Sequence, residues 1–249
     1  MTESLSASPR IHCPEPLPQT GQVALPAAAA HHVARVLRLR EGDALTLFDG
    51  QGGERTARVS RIAREEVEAS IVATLPVERE SGLPIRLVQC LQAGDKMDLT
   101  IQKAVELGVS SIVPLASKRA VVRLDAERAE KRLRHWRQVV IAACEQCGRN
   151  RIPELFAVEP IERFLARPAA SGGLRLHLSP AASDSLSTLE KPVSVELLVG
   201  PEGGLTSDEV AAARQAGFVA LRLGPRVLRT ETAGLAALSA IHARWGDFL

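Results

Sequence analysis

The hydrophobic pattern changes rhythm near residue 80. Upstream, short β-forming runs alternate with turn signals. Residues 44–48 (Ala-Leu-Thr-Leu-Phe) predict a strand and Asp49-Gly50-Gln51-Gly52-Gly53 a hairpin turn. Residues 55–63 and 67–75 predict two further strands around Arg64-Glu65-Glu66. An alanine run with Val33, Val36 and Leu37 at helical spacing predicts a helix over 26–39. Several short strands joined by close turns suggest a small barrel. Residues 1–8, small and polar, are expected to be disordered, and 76–82 reads as a linker.

Downstream, apolar runs of strand length alternate with helical stripes. Strands are predicted over 85–91, 111–115, 155–158, 174–178, 195–199 and 218–223. Asp95 is placed to cap a helix whose Met97, Ile101, Ala104 and Val105 share one face and which stops at Gly108. Further helices are predicted over 125–147, 161–166 and 230–244. Another begins at Thr206-x-x-Glu209, a capping box, and ends at Gly217, where a left-handed residue is expected. This alternation implies an α/β fold, a parallel sheet with helices on both faces.

Two glycine-bearing loops follow two of these strands: Gly200-Pro201-Glu202-Gly203-Gly204 and Gly224-Pro225. Ligands of parallel sheets sit at the carboxyl ends of strands, and glycine lets backbone approach them closely. Taken alone, Gly200 to Gly204 also reads as a plain tight turn. The signature of a phosphate cradle is missing: no Lys-Ser/Thr follows the glycines and no Gly-x-Gly-x-x-Gly occurs.

Composition narrows the function classes. A chain of 249 residues suits one or two domains with a sizeable core. Hydrophobic content of 45% and charged content of 24% fit a soluble globular protein. No apolar run reaches the length of a membrane span, and the first ten residues lack the layout of a signal peptide, so a cytoplasmic protein is expected. Net charge is only +2, so a nucleic-acid partner would have to be held by local patches. The absence of Tyr, with 3% aromatics, argues against a base-stacking sheet. Cys144-x-x-Cys147 has metal-like spacing, but no second Cys or His pair is placed to complete a zinc site. It falls in a predicted helix, so structural thiols and no metal are expected. Arg35, Arg38 and Arg40 cluster beside Glu41 and Asp43. Arg128, Lys131, Arg132, Arg134 and Arg137 lie among Glu127 and Glu130, the pattern of a solvated face.

The two glycine loops, the second extended as Leu223-Gly224-Pro225-Arg226-Val227-Leu228-Arg229-Thr230-Glu231-Thr232-Ala233, together resemble the RsmE family. These are 16S ribosomal RNA uridine-N3 methyltransferases of the SPOUT class. Further matches are His31-His32, Val36-Leu37-Arg38, Gly42-Asp43, Phe48-Asp49-Gly50, Asp95-Lys96-Met97, the run from Ile101 to Gly108, and Ala143 to Glu154. The resemblance runs from about Pro9 to the C-terminus. It implies a PUA-like β-barrel RNA-binding domain over 9–77 and a SPOUT methyltransferase domain over 82–249. In that domain the last helix would thread a loop to make a trefoil knot, where ordinary connection rules give an unknotted doubly wound sheet.

The resemblance also implies S-adenosylmethionine as cofactor, held by Leu178, Gly200, Pro201, Glu202, Gly203, Leu223, Gly224, Val227, Leu228 and Thr232. A side chain added at Gly203 is expected to fill that slot. The implied partner is 16S ribosomal RNA in the small subunit, contacted by Arg35, Arg38, Arg149 and Arg151, with the enzyme a homodimer. Pro9-Arg10-Ile11-His12-Cys13 replaces the more aromatic, basic opening of the family, so no RNA contact is assigned there. Uridine N3 must lose a proton, which calls for a base, Glu202 or Glu231, or for a cation beside the uracil oxygens, Arg229. Glu231 reads equally as an acid complementing a helix N-terminus. One alternative is a SPOUT ribose 2′-O-methyltransferase, disfavoured because residues 227–232 lack a Ser-Leu-Asn-Val-Ser-like segment. The other is a non-catalytic RNA-binding assembly protein, which would not need both loops.

Overall fold

In a computed structural model of the chain, residues 8–64 and 66–248 are described. Of the disorder expected for residues 1–8, all but Ser8 lies outside them, as does the Glu65 position of the 64–66 turn, and Ser8 shares a hydrogen bond with Thr46. The chain forms two compact units, one of Met1–Glu80 with Cys144–Ile152, the other of Ser81–Ala143 with Pro153–Leu249.

The first unit is a five-stranded sheet of β1 (Arg10–His12), β2 (Gly21–Ala24), β3 (Ala44–Phe48), β4 (Glu54–Ala63) and β5 (Glu66–Leu75), paired in the order β1-β3-β4-β5-β2. β1 runs parallel to β3 and the other pairs are antiparallel. Two register shifts between β4 and β5 increase the local bend. One apolar face, with Leu45, Leu47, Val59, Val67 and Ala69, closes over Ala30 and Val33. Those two come from the segment predicted as one helix over 26–39. It is instead a short helix, α1 (Ala27–His31), followed by a π-helical turn at His32–Val36. Arg38 then takes φ 54°, a left-handed conformation that ends the helical path.

Residues 144–152 join this unit through a polar network. Glu54 Oε2 receives Arg10 Nη1 at 2.7 Å, Arg79 Nη1 at 3.1 Å and Asn150 Nδ2 at 3.2 Å. Burial pushes the Glu54 carboxyl up, but these donors outweigh it and hold it below the usual carboxylate range. Cys144 is buried, its thiol pushed up to about 12 chiefly by burial, which makes it inert.

The second unit is a parallel sheet of seven strands: β6 (Ile85–Cys90), β7 (Ser111–Ala116), β8 (Glu154–Leu155), β9 (Glu159–Pro160), β10 (Gly173–Leu178), β11 (Ser194–Val199) and β12 (Phe218–Leu221). The order is β12-β10-β11-β6-β7-β8, with β9 also on β7. The helices are α2 (Lys96–Glu106), α3 (Ala126–Cys147, its last turn in the first unit), α4 (Ile161–Leu165), α5 (Ser207–Gln215) and α6 (Thr230–Trp245). Alternation along the strands separates two faces. Val88, Cys90 and Leu198 pack under α4 and α5 with Phe164, Ala213 and Phe218. Leu87, Gln89 and Val199 pack against α6 around Gly234. The strand expected over 155–158 is replaced by the two-residue pairings of β8 and β9, because the chain leaves β7 after Leu155 and returns at Glu159.

One buried arginine braces the sheet. Arg175 donates to Glu196 at 2.7 Å and to the carbonyls of Arg167, Pro168 and Ala216 at 2.8–3.0 Å. Every donor so placed offsets the desolvation of its charge.

Candidate active site

β12, β10 and β11 are neighbours, so the loops leaving their carboxyl ends converge. They enclose a cavity of about 530 Å³. Its wall includes Leu178 and Ser179 after β10, Gly200, Pro201, Glu202 and Gly204 after β11, Leu223, Arg226, Val227, Leu228 and Arg229 after β12, and Thr230 of α6. Val199, Leu205, Val210 and Leu221 make much of the remainder apolar.

The loop after β11 is fixed from several sides. Gly204 closes a turn onto the Pro201 carbonyl at 2.9 Å with φ +69°, a conformation that suits glycine. Thr230 Oγ1 donates to the Gly200 carbonyl at 2.6 Å and accepts from Gln89 Nε2 at 3.3 Å. Arg119 Nη1 donates to the carbonyls of Gly203 and Leu205 at 3.3 and 3.4 Å. The capping box forms: the Glu209 amide donates to Thr206 Oγ1 at 3.2 Å and the Thr206 amide to Glu209 Oε2 at 2.7 Å. Glu209 Oε1 accepts the Lys118 amide at 2.8 Å, tying the loop after β7 to α5.

Glu202 Oε1 accepts the Ala93 amide at 3.1 Å and lies 3.5 Å from Lys96 Nζ. Burial raises its carboxyl, but the Ala93 amide, its own amide and Lys96 hold it below the usual carboxylate range. It is therefore ionised and engaged at neutral pH. Glu231 does not line the cavity. Its Oε1 lies 3.6 Å from Lys96 Nζ and its Oε2 is buried without a protein partner. Arg229 is exposed on the cavity wall, and its backbone, not its side chain, caps α6.

Leu178, Gly200, Pro201, Glu202, Leu223, Val227 and Leu228 thus come together with Arg229. Gly203, Gly224 and Thr232 stand outside the wall. A Cβ at Gly203 would meet Arg119 Cβ at 3.2 Å, so a side chain there strains the loop after β7 and does not fill the cavity. Gly224, at φ +70°, shapes the loop after β12. Thr232 faces outward from the first turn of α6.

The arginines expected on RNA separate. Arg35 and Arg38 are exposed. Arg149 is 4% exposed, with its guanidinium on Glu80. This argues against the RNA contact expected of it, because its charge is engaged by Glu80 inside the first unit. Arg151 is exposed and paired with Glu78. Sequence reasoning gave no role to Lys96, Arg119, Gln89 or Thr230, whose contacts reach across tens of residues. Lys96 stood only within a matched Asp-Lys-Met segment.

Fold and site together define an RNA-modifying class. The profile described as an RNA methyltransferase domain matches residues 79–242, and that of an RNA methyltransferase PUA domain matches 25–72. The chain is 34% identical over 240 residues to the ribosomal RNA small subunit methyltransferase E of Buchnera aphidicola, covering 96% of this chain and 97% of that one. It is 41% identical to the enzyme of that name from Neisseria gonorrhoeae, solved bound to S-adenosyl methionine, with a TM-score of 0.91 over 97% of this chain and 100% of that one. A methyltransferase of Legionella pneumophila, solved with bound SAM, is 40% identical with a TM-score of 0.93, over 97% of this chain and 99% of that one. The chain belongs to the ribosomal RNA small subunit methyltransferase E family.

Proposed function

We propose that this protein methylates N3 of a uridine in 16S ribosomal RNA of the small subunit, using S-adenosylmethionine. The observation that carries the reading is the convergence of three strand-end loops on one cavity of about 530 Å³. Its chemistry fits the cofactor: the apolar side chains of Leu178, Leu223, Val227 and Leu228 suit a purine, and glycine backbone offers amides and carbonyls at its edge. When bound, the cofactor supplies an electrophilic methyl group and needs no metal.

The residues of this chain supply the rest. Arg229 steadies negative charge on the uracil oxygens as N3 loses its proton. The proton passes to a carboxylate, for which Glu202 stands on the cavity wall and Glu231 behind it. The uridine must be unpaired or flipped to expose N3, and Arg35, Arg38 and Arg151 contact phosphates without reading sequence. A PUA-like domain over 9–77 and a methyltransferase domain over 82–249 divide these tasks. The reading includes a cytoplasmic homodimer and a trefoil knot formed by α6. Its small residues Gly234, Ala236, Ala237, Ser239 and Ala240 support close packing. No helix among the described residues is long and apolar enough to cross a membrane.

The test is methyl transfer from labelled S-adenosylmethionine to undermethylated small subunits, with nucleoside mass spectrometry. N3-methyluridine is expected. A ribose-methylated product would overturn the target atom, and failure to bind cofactor would return the protein to RNA binding alone.

A further inference from the structure

Two carboxylates beside the Gly200–Gly204 loop face one cation. Lys96, at the start of α2, lies 3.5 Å from Glu202 and 3.6 Å from Glu231. The three side chains are partly buried, 35%, 21% and 19% exposed. They come from three segments far apart in sequence: α2, the loop after β11, and the first turn of α6. A cation within about 4 Å of two carboxylates offsets the repulsion between them. Other charged groups near them are Asp95 before α2, Asp98, Lys103 and Glu106 on α2, Arg229 before α6, and Arg119 and Lys118 on the loop after β7, with Lys103 and Glu106 paired to each other. Asp98 is engaged by His135 and Trp136, Arg119 by the Gly203 and Leu205 carbonyls, and Lys118 by Asp208. Among the described residues, Lys96 is the cation that bridges Glu202 and Glu231.

We propose that Lys96 is a positioning residue of this site, joining Glu202 to Glu231 and so fixing the wall after β11 against the start of α6. Lys96 does not line the cavity and acts through Glu202, which does. Without it, only the amides of Ala93 and Glu202 itself hold the Glu202 carboxylate, and the loop loses its charged link to Glu231. Only the consequence for cofactor binding rests on the methyltransferase reading above.

Lys96→Met removes the charge and Lys96→Arg keeps it. Carbon-detected NMR follows the Glu202 carboxyl in the apoprotein, assigned by its loss in Glu202→Gln. Its titration midpoint is expected to rise by about one pH unit in K96M and to return in K96R. Calorimetric affinity for S-adenosylmethionine is expected to fall roughly three- to tenfold in K96M, with the acid limb of binding moving to higher pH, and to recover in K96R. A Glu202 midpoint unmoved in K96M overturns the proposal, whether or not cofactor binds. Wild-type protein that gives no heat with S-adenosylmethionine overturns the cofactor reading instead and leaves the titration to judge Lys96. Should K96M fail to fold, Glu231→Gln serves: removing the like charge is expected to lower the Glu202 midpoint, and no movement there overturns the bridge equally.

Discussion

The two loops that carry the glycine motifs differ in how they are held. The one after β11 is tied to α6 by Thr230, to the loop after β7 by Arg119, and to the start of α2 by Glu202. The one after β12 leaves Arg222, Gly224, Pro225, Arg226, Val227 and Arg229 exposed, Val227 at 79%. Its anchor is the Arg222 amide on the Asp184 carbonyl at 3.0 Å, and its three arginines form no ion pair among the described residues. One wall of the cavity is built before any ligand arrives. The other keeps its charges free for what binds. Preorganised backbone lowers the cost of binding, whereas exposed arginines retain donors for an incoming uracil or phosphate.

Four substitutions probe this contrast. The largest effect is expected on the open loop. Arg229→Ala should reduce turnover about 10²- to 10³-fold in the labelled-methyl assay, while calorimetric cofactor affinity and the melting temperature stay near wild type. Unchanged turnover would remove Arg229 from the mechanism. On the fixed loop the loss should appear in stability. Thr230→Val leaves the Gly200 carbonyl and Gln89 Nε2 without that partner and should cost about 1–3 kcal/mol in urea unfolding. A change within error would show that the Gly200 tie contributes nothing.

A smaller effect follows from acid. Folding depresses the Glu202 carboxyl, so its contribution is present above the unfolded carboxylate value and lost as pH falls through the lower folded one. Wild type should be more stable than Glu202→Gln at pH 7, and the difference should close below about pH 4.3. A gap that does not shrink as pH falls below the unfolded carboxylate value would mean that packing, not charge, holds this side chain. The smallest effect is expected at Val227→Ser, which should shift stability by less than about 0.5 kcal/mol. A large loss would mean that the open loop is covered after all.

What was legible in the sequence follows the range of the interactions concerned. Continuous apolar runs marked β6, β7, β10 and β11 to within a residue or two, since a buried strand needs little else. The capping box at Thr206 was legible because its partners are three residues apart. The helix over 26–39 was misread because alanines favour a regular helix, whereas Val33 had to turn into the sheet core and Arg38 had to leave it. The loops that form the cavity were visible as motifs. Which glycines face the cavity was not: Gly203 is turned away by Arg119, 84 residues distant. Arg149 looked like any loop arginine, because its partner Glu80 lies 69 residues upstream. Lys96 was unreadable for the same reason, since it meets its carboxylates only once α2, the β11 loop and α6 have assembled.

The hydroxyl of Thr230 has a consequence for timing. It completes a loop that emerges thirty residues earlier during synthesis. Until that later segment docks, the Gly200 carbonyl lacks this donor and the cavity lacks part of its wall. Such a long-range closure is among the slower steps available to a chain. A nascent protein can therefore carry both glycine motifs in full and still be unable to engage its ligand, which defers catalytic competence to the end of folding.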